Sequence, residues 1–158
     1  MNTARRGFTL IELAVTVAII GVLATIAVPV AELAVQRARE QELRQALRQI
    51  RTALDAYKQA WDEGRIERRS GASGYPPSLE TLVEGVENIR TPAQDKIYFL
   101  RRLPRDPFAA DASLTPAQTW GKRAYASPPD PPFEGEDVFD VYSLSPRTGL
   151  NGLPYREW

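Results

Sequence analysis

The side chain with the least ordinary chemistry in this 158-residue chain is Glu12. It is the only charged residue from Phe8 to Ala31, in the run F-T-L-I-E-L-A-V-T-V-A-I-I-G-V-L-A-T-I-A-V-P-V-A. About 20 apolar residues suffice for a helix to cross a bilayer. A carboxylate inside such a span costs roughly 2.5–3.5 kcal/mol or more at its centre and calls for a partner. Arg5-Arg6-Gly7 stands directly before the run. A basic tail thus ends in a glycine where the apolar helix begins. Arginines ahead of a span predict a cytoplasmic N-terminus, with the rest of the chain on the far side.

The remaining chemistry is narrowed by what the chain lacks. It contains no cysteine and no histidine. Disulfide clamps, Ser-His-Asp and Cys-His catalysis and histidine-ligated zinc are thereby excluded. A pair of carboxylates is the remaining hydrolytic device, and no acid pair stands out, so the chain does not read as an enzyme. Twenty basic and 20 acidic residues give zero formal charge. That is no electrostatic footprint for nucleic acid. The clusters Arg65/Arg68/Arg69 and Arg101/Arg102/Arg105 read as solvated or as paired with neighbouring subunits, and no nucleic-acid partner is expected.

The elements that must carry Glu12 follow from periodicity. Beyond Glu32, apolar residues fall at Leu43, Leu47, Ile50, Leu54, Tyr57 and Trp61, alternating steps of four and three along one helix face. Arg37, Glu40, Arg44, Arg48, Arg51, Asp55 and Lys58 lie on the opposite side. Glu40–Arg44 and Arg51–Asp55 are expected as i,i+4 ion pairs. The pattern predicts one helix from Phe8 to about Asp62, ended by Gly64. Gly21 and Pro29 are candidate softening positions within it, because proline removes a helical hydrogen bond. A polar Gly/Ser/Pro loop over 64–78 follows. A short helix is expected near Leu79–Glu84, with Ser78 as its cap and Gly85 as its stop. Ile97–Leu100 reads as a strand or a helix end, Pro104–Pro107 as a rigid turn, and 109–119 as an inserted loop. Lys122–Ala126 and Val138–Leu144 read as strands. The tail, ending in Tyr155 and Trp158, is expected to dock on the core.

The start admits several readings. A secretory signal has a shorter apolar stretch. A twin-arginine signal shares Arg5-Arg6-Gly7-Phe8 but is less hydrophobic. A plain anchor accounts for the span but for neither Gly7 nor Glu12. The string Gly7-Phe8-Thr9-Leu10-Ile11-Glu12 resembles the N-terminus of the prepilin family, the type IV pilins and type II secretion pseudopilins. The resemblance implies cleavage by a prepilin peptidase between Gly7 and Phe8, and N-methylation of Phe8. It makes Glu12 the assembly acid, the fifth residue of the mature chain, and puts Gly21 and Pro29 where the family loosens its helix. Pairing Glu12 with the new amine of a neighbouring subunit would remove two uncompensated charges from an apolar filament core.

Tyr75-Pro76-Pro77, Leu100–Phe108, Trp120-Gly121, Asp140–Ser143 and Trp158 are similar to the major, G-type pseudopilin. Residues 109–119 depart from that pattern as an insertion. The loop in which that subunit gathers calcium-binding aspartates here reads Leu144–Gly152, with Arg147 and no acid. Calcium takes six to eight oxygens, usually with carboxylates among them. Asp137, Asp140 and Asn151 are weak candidates, and no cofactor and no calcium site of the usual kind is expected.

The resulting expectation is an α+β, pilin-like fold, a long helix packed on a small antiparallel sheet with long loops. Its parts are a leader (1–7), a membrane and polymerisation helix (8–31), an amphipathic continuation (32–62) and a loop-rich globular region (63–158). The expected role is a pseudopilus subunit of type II secretion, in the inner membrane and then in a periplasmic filament. Its partners would be further copies, minor pseudopilins, the prepilin peptidase and the inner-membrane assembly platform. The alternative is a type IV pilin-like subunit for adhesion, motility or DNA uptake.

Overall fold

A computed structural model describes residues 8–91 and 95–158, without the side chain of Ile26. The chain divides into two units, Met1–Ala38 and Arg39–Trp158. Helix α1 runs from Leu10 to Asp62 and contains Pro29. Its end follows from Gly64. That residue has φ 67°, a left-handed conformation that glycine adopts without a Cβ penalty. The Gly64 N–H bonds to the Trp61 carbonyl and the Arg65 N–H to the Ala60 carbonyl, both at 2.9 Å. Together these form the Schellman closure of a helix C-terminus.

In the first unit every large apolar side chain described between Phe8 and Val35 is exposed, Phe8 by 87%. Among the described residues, α1 is the one helix long and apolar enough to cross a membrane.

The second unit has a conventional core. The expected stripe is buried at Leu43, Leu47, Ile50, Leu54 and Tyr57, with Trp61 half-buried against it. Ala46, Ala53 and Ala60 are buried beside the stripe, small residues that let other segments approach the helix. Burial pushes the Tyr57 phenol above its ordinary pKa, an effect that nearby Arg69 partly offsets. Leu79, Leu82, Leu100, Trp120, Val141 and Tyr155 complete the core.

The α+β expectation holds, with the sheet divided into two antiparallel ribbons. Strands β1 (Val86–Glu87) and β2 (Lys96–Ile97) form one. Strands β3 (Trp120–Arg123) and β4 (Asp140–Ser143) form the other, in the register Trp120↔Ser143 to Arg123↔Asp140. Both β3 and β4 are displaced from, or shorter than, the expected spans. Past Arg123 the Tyr125 N–H turns to the Asp137 carboxylate instead of a ladder partner, and the intervening prolines have no N–H to extend a ladder.

Helix α2 (Thr81–Glu84) starts later than expected, and Ser78 does not cap it. The Ser78 hydroxyl instead lies 3.2 Å from that of Thr81. Gly85 does stop the helix, with its N–H on the Thr81 carbonyl. The 109–119 segment ends in a 3₁₀ turn, Pro116–Thr119, closed by the Thr115 N–H on Gln118 Oε1 at 2.9 Å and the Gln118 N–H on the Thr115 carbonyl at 3.0 Å. This delivers the chain directly into β3.

Gly121 faces Tyr142 across the β3–β4 ribbon. A Cβ added there would meet the Tyr142 ring at 2.3 Å. Overpacking of this kind costs about 1–3 kcal/mol. Gly121→Val should therefore lower the melting temperature of the purified subunit by several degrees; an unchanged melting curve would show that the ring yields freely.

Candidate functional site

Glu12 sits in the first turn of α1, and Thr9 precedes that turn. The Thr9 N–H donates to Glu12 Oε2 at 3.1 Å, and the Thr9 hydroxyl donates to the same oxygen at 3.2 Å. The Glu12 N–H in turn donates to Thr9 Oγ1 at 3.2 Å. This is a reciprocal capping box, in which two N–H groups orphaned at a helix start find acceptors. The T-x-x-E spacing was legible in the sequence, but the cost of an acid in an apolar run overshadowed it. Glu12 therefore has a local partner within one chain, next to the exposed Phe8. Gly7, expected on the other side of the cleavage point, lies outside the described residues. Gly21 is helical, and an added Cβ would meet nothing within 4 Å. Within one chain, then, no side-chain contact demands a glycine there.

The motif residues scattered over 100–158 converge. The Trp120 indole N–H donates to the Pro104 carbonyl at 2.9 Å. The Ser143 hydroxyl donates to Asp106 Oδ2 at 2.5 Å. Phe108 stacks on Tyr155 with ring centroids 4.2 Å apart, and Trp158 meets Tyr155 edge-on at 5.0 Å.

The two ion pairs expected along α1 are replaced by longer-range bonds. Arg51 turns away from Asp55. Its Nε donates to Asp140 Oδ1 at 2.8 Å, and its Nη2 donates to the Trp158 and Val141 carbonyls at 2.8 and 3.1 Å. Arg44 lies 4.3 Å from the centroid of the Trp158 ring. Glu40, only 5% exposed, accepts the Leu150 N–H at 2.8 Å and the Tyr155 hydroxyl at 3.0 Å. These three residues fasten the tail to α1. Arg105 and Arg68 are likewise spent on backbone carbonyls.

The candidate calcium ligands are engaged in other bonds. Asp137 accepts the Tyr125 N–H at 2.8 Å on Oδ1 and the Ser73 hydroxyl on Oδ2. Asp140 is held by Arg51 and by the Val141 N–H, with Arg123 Nη2 3.7 Å from its other oxygen. Asn151 Oδ1 accepts the Leu153 N–H at 3.1 Å. Among the described residues, no three acids gather into a group that could hold a metal.

Residues 2–28 match the family described as the prokaryotic N-terminal methylation motif. The type II secretion system core protein G of Dickeya chrysanthemi is 32% identical over 126 residues, covering 77% of this chain and 75% of that protein. The protein of the same name from Klebsiella pneumoniae is 31% identical over 145 residues, covering 89% of this chain and 96% of that protein. The type IV major fimbrial protein FimA of Dichelobacter nodosus is 36% identical over 88 residues, covering 49% of this chain and 53% of that protein. No solved structure matches. An exposed apolar helix opened by a Thr–Glu capping box, followed by an α+β unit, agrees with these relatives: the chain belongs to the family of type II secretion system core protein G, the major pseudopilins.

Proposed function

We propose that the chain is cut between Gly7 and Phe8, methylated at Phe8, and polymerised as the structural subunit of a type II secretion pseudopilus that drives protein export across the outer membrane. The carrying observation is the first unit, whose described large apolar side chains are all exposed while its one carboxylate before Glu32 sits at the helix start. Such a surface needs a bilayer before assembly and neighbouring helices afterwards. In the filament, Glu12 pairs with the Phe8 amine of a neighbouring copy. That amine does not exist until the leader is removed, so cleavage licenses assembly. Gly21 and Pro29 give the helix local freedom in the bundle, where freed carbonyls find other partners.

The N-terminus faces the cytoplasm and the second unit the periplasm. The working partners are the prepilin peptidase, the inner-membrane platform, minor pseudopilins and further copies. The energy comes from an ATPase elsewhere in the machine, since the sequence carries no G-x-x-x-x-G-K-[ST] phosphate loop.

The test is the intact mass of the membrane-bound chain, expressed with and without its peptidase. Loss of Met1–Gly7 and gain of one methyl group is expected. An uncut chain, or a cut beyond Pro29, overturns the reading. The likeness to the fimbrial protein favours a second reading, a type IV pilin-like subunit. Loss of surface pili with intact secretion on deletion would select it. Loss of secretion selects the first.

A further inference from the structure

We propose that the buried carboxylate of Glu40 is the lock of the loop spanning residues 147–155, and that it holds this loop closed without a divalent cation. The loop folds back on itself. A bridge pairs Thr148 with Pro154. The Gly149 N–H reaches the Leu153 carbonyl at 2.9 Å, and the Tyr155 N–H reaches the Arg147 carbonyl at 3.1 Å. Both donors that it presents to Glu40, the Leu150 N–H and the Tyr155 hydroxyl, converge on one oxygen, Oε1.

The polarity of this arrangement is decisive. A loop that wraps a cation turns carbonyls and carboxylates inward. This loop turns donors inward, onto an anion supplied by α1. Its one formal charge from Leu144 to Gly152 is Arg147, whose guanidinium lies 5.4 Å from the centroid of the Phe108 ring. The same end of the chain is fixed twice more from α1, by Arg51 on the Trp158 carbonyl and by Arg44 over the Trp158 ring. Charged acceptors make stronger hydrogen bonds than neutral ones, and a buried donor that loses its acceptor carries the full desolvation penalty. Closure of the loop is therefore tied to residue 40, which is 110 positions from Leu150.

The lock belongs to the single subunit. Only its consequence, assembly in medium free of calcium, rests on the filament reading. The test accordingly uses the full processed subunit in detergent micelles, where no filament is required. It reads hydrogen exchange of the Leu150 amide and thermal melting by tryptophan fluorescence, in millimolar calcium chloride and in chelator. The wild-type chain should give the same melting temperature and the same Leu150 protection in both media. Glu40→Ala should lose Leu150 protection by tenfold or more and melt about 5–10 °C lower, with no rescue by calcium. Glu40→Gln should retain most of the protection, because an amide oxygen accepts the same two bonds.

A wild-type melting temperature that rises with calcium or falls with chelator overturns the proposal. Undiminished Leu150 protection in Glu40→Ala does so as well. If Glu40→Ala does not fold, the wild-type comparison and Glu40→Gln decide. Loss of Leu150 protection in Glu40→Gln to the level of an open loop would then count against it.

Discussion

Glu12→Gln is expected to insert into the membrane and lose its leader normally, yet form no filament. The expectation rests on separating the two tasks of this carboxylate. Within one chain, Glu12 completes a capping box with Thr9. A glutamine oxygen can still accept the Thr9 N–H, so the start of α1 survives. On the proposed reading, the carboxylate has to neutralise the Phe8 amine of a neighbouring copy within an apolar bundle. Leaving one member of a buried ion pair alone costs about 3–5 kcal/mol, and the cost recurs at every subunit added. Thr9→Ala makes the complementary change. It weakens the cap by about 0.5–2 kcal/mol and keeps the charge, so assembly should persist at a reduced level. Cleavage is read by intact mass, insertion by membrane fractionation, and assembly by shearing and electron microscopy of cells overproducing the subunit. Normal filaments from Glu12→Gln would make capping the whole role of Glu12 and sink the charge-pairing account.

The two halves of the chain differ in how much of this was legible. The helix was legible almost to the residue because its signals are local. Leu43, Leu47, Ile50, Leu54 and Tyr57 repeat at helical spacing, and Gly64 supplies the positive φ that ends the helix. The α+β class followed from the strand-like segments Lys122–Ala126 and Val138–Leu144 beside the long helix, and the docking of Tyr155 and Trp158 from aromatic residues in an otherwise turn-rich tail. The ion pairs were misassigned. An i,i+4 spacing is visible in sequence, but such exposed pairs are worth only about 0.2–0.5 kcal/mol. Arg51 gains more from a carboxylate and two carbonyls supplied by β4 and the tail. Glu40 suggests only a local pair with Arg44 because no local signal marks a carboxylate whose partners lie more than 100 positions away. Ser78 looked like a cap on composition, but the turn begins two residues later. Asp137 and Asp140 stand out in the sequence only as candidate calcium ligands. Their partners, a loop N–H, a serine and two arginines, emerged only from the fold.

Asp106→Ala should act on the fold, in contrast to Glu12→Gln. Asp106 is 3% exposed and opens the turn closed by the Ala109 N–H on its carbonyl at 3.1 Å. Its Oδ1 accepts the Phe108 N–H at 2.7 Å, its Oδ2 accepts the Ser143 hydroxyl at 2.5 Å, and its own N–H donates to Thr119 Oγ1 at 3.1 Å. One side chain thus joins the turn to β4, while its backbone joins the turn to the 3₁₀ segment that leads into β3. Alanine leaves the Phe108 and Ser143 donors without their acceptor, at about 1–3 kcal/mol each where they remain buried. For a region of this size the melting temperature should fall by roughly 10 °C or more. Asn at this position keeps one acceptor oxygen and can donate to the Ser143 hydroxyl, so it should recover about half of the loss, as an order-of-magnitude expectation. In cells, Asp106→Ala should lower the steady-state amount of subunit by proteolysis of the opened form, and filaments should decline in proportion. Glu12→Gln should leave the amount unchanged and remove the filaments. A normal subunit level with absent filaments in Asp106→Ala would place this turn at an interface between subunits instead of in the fold of one.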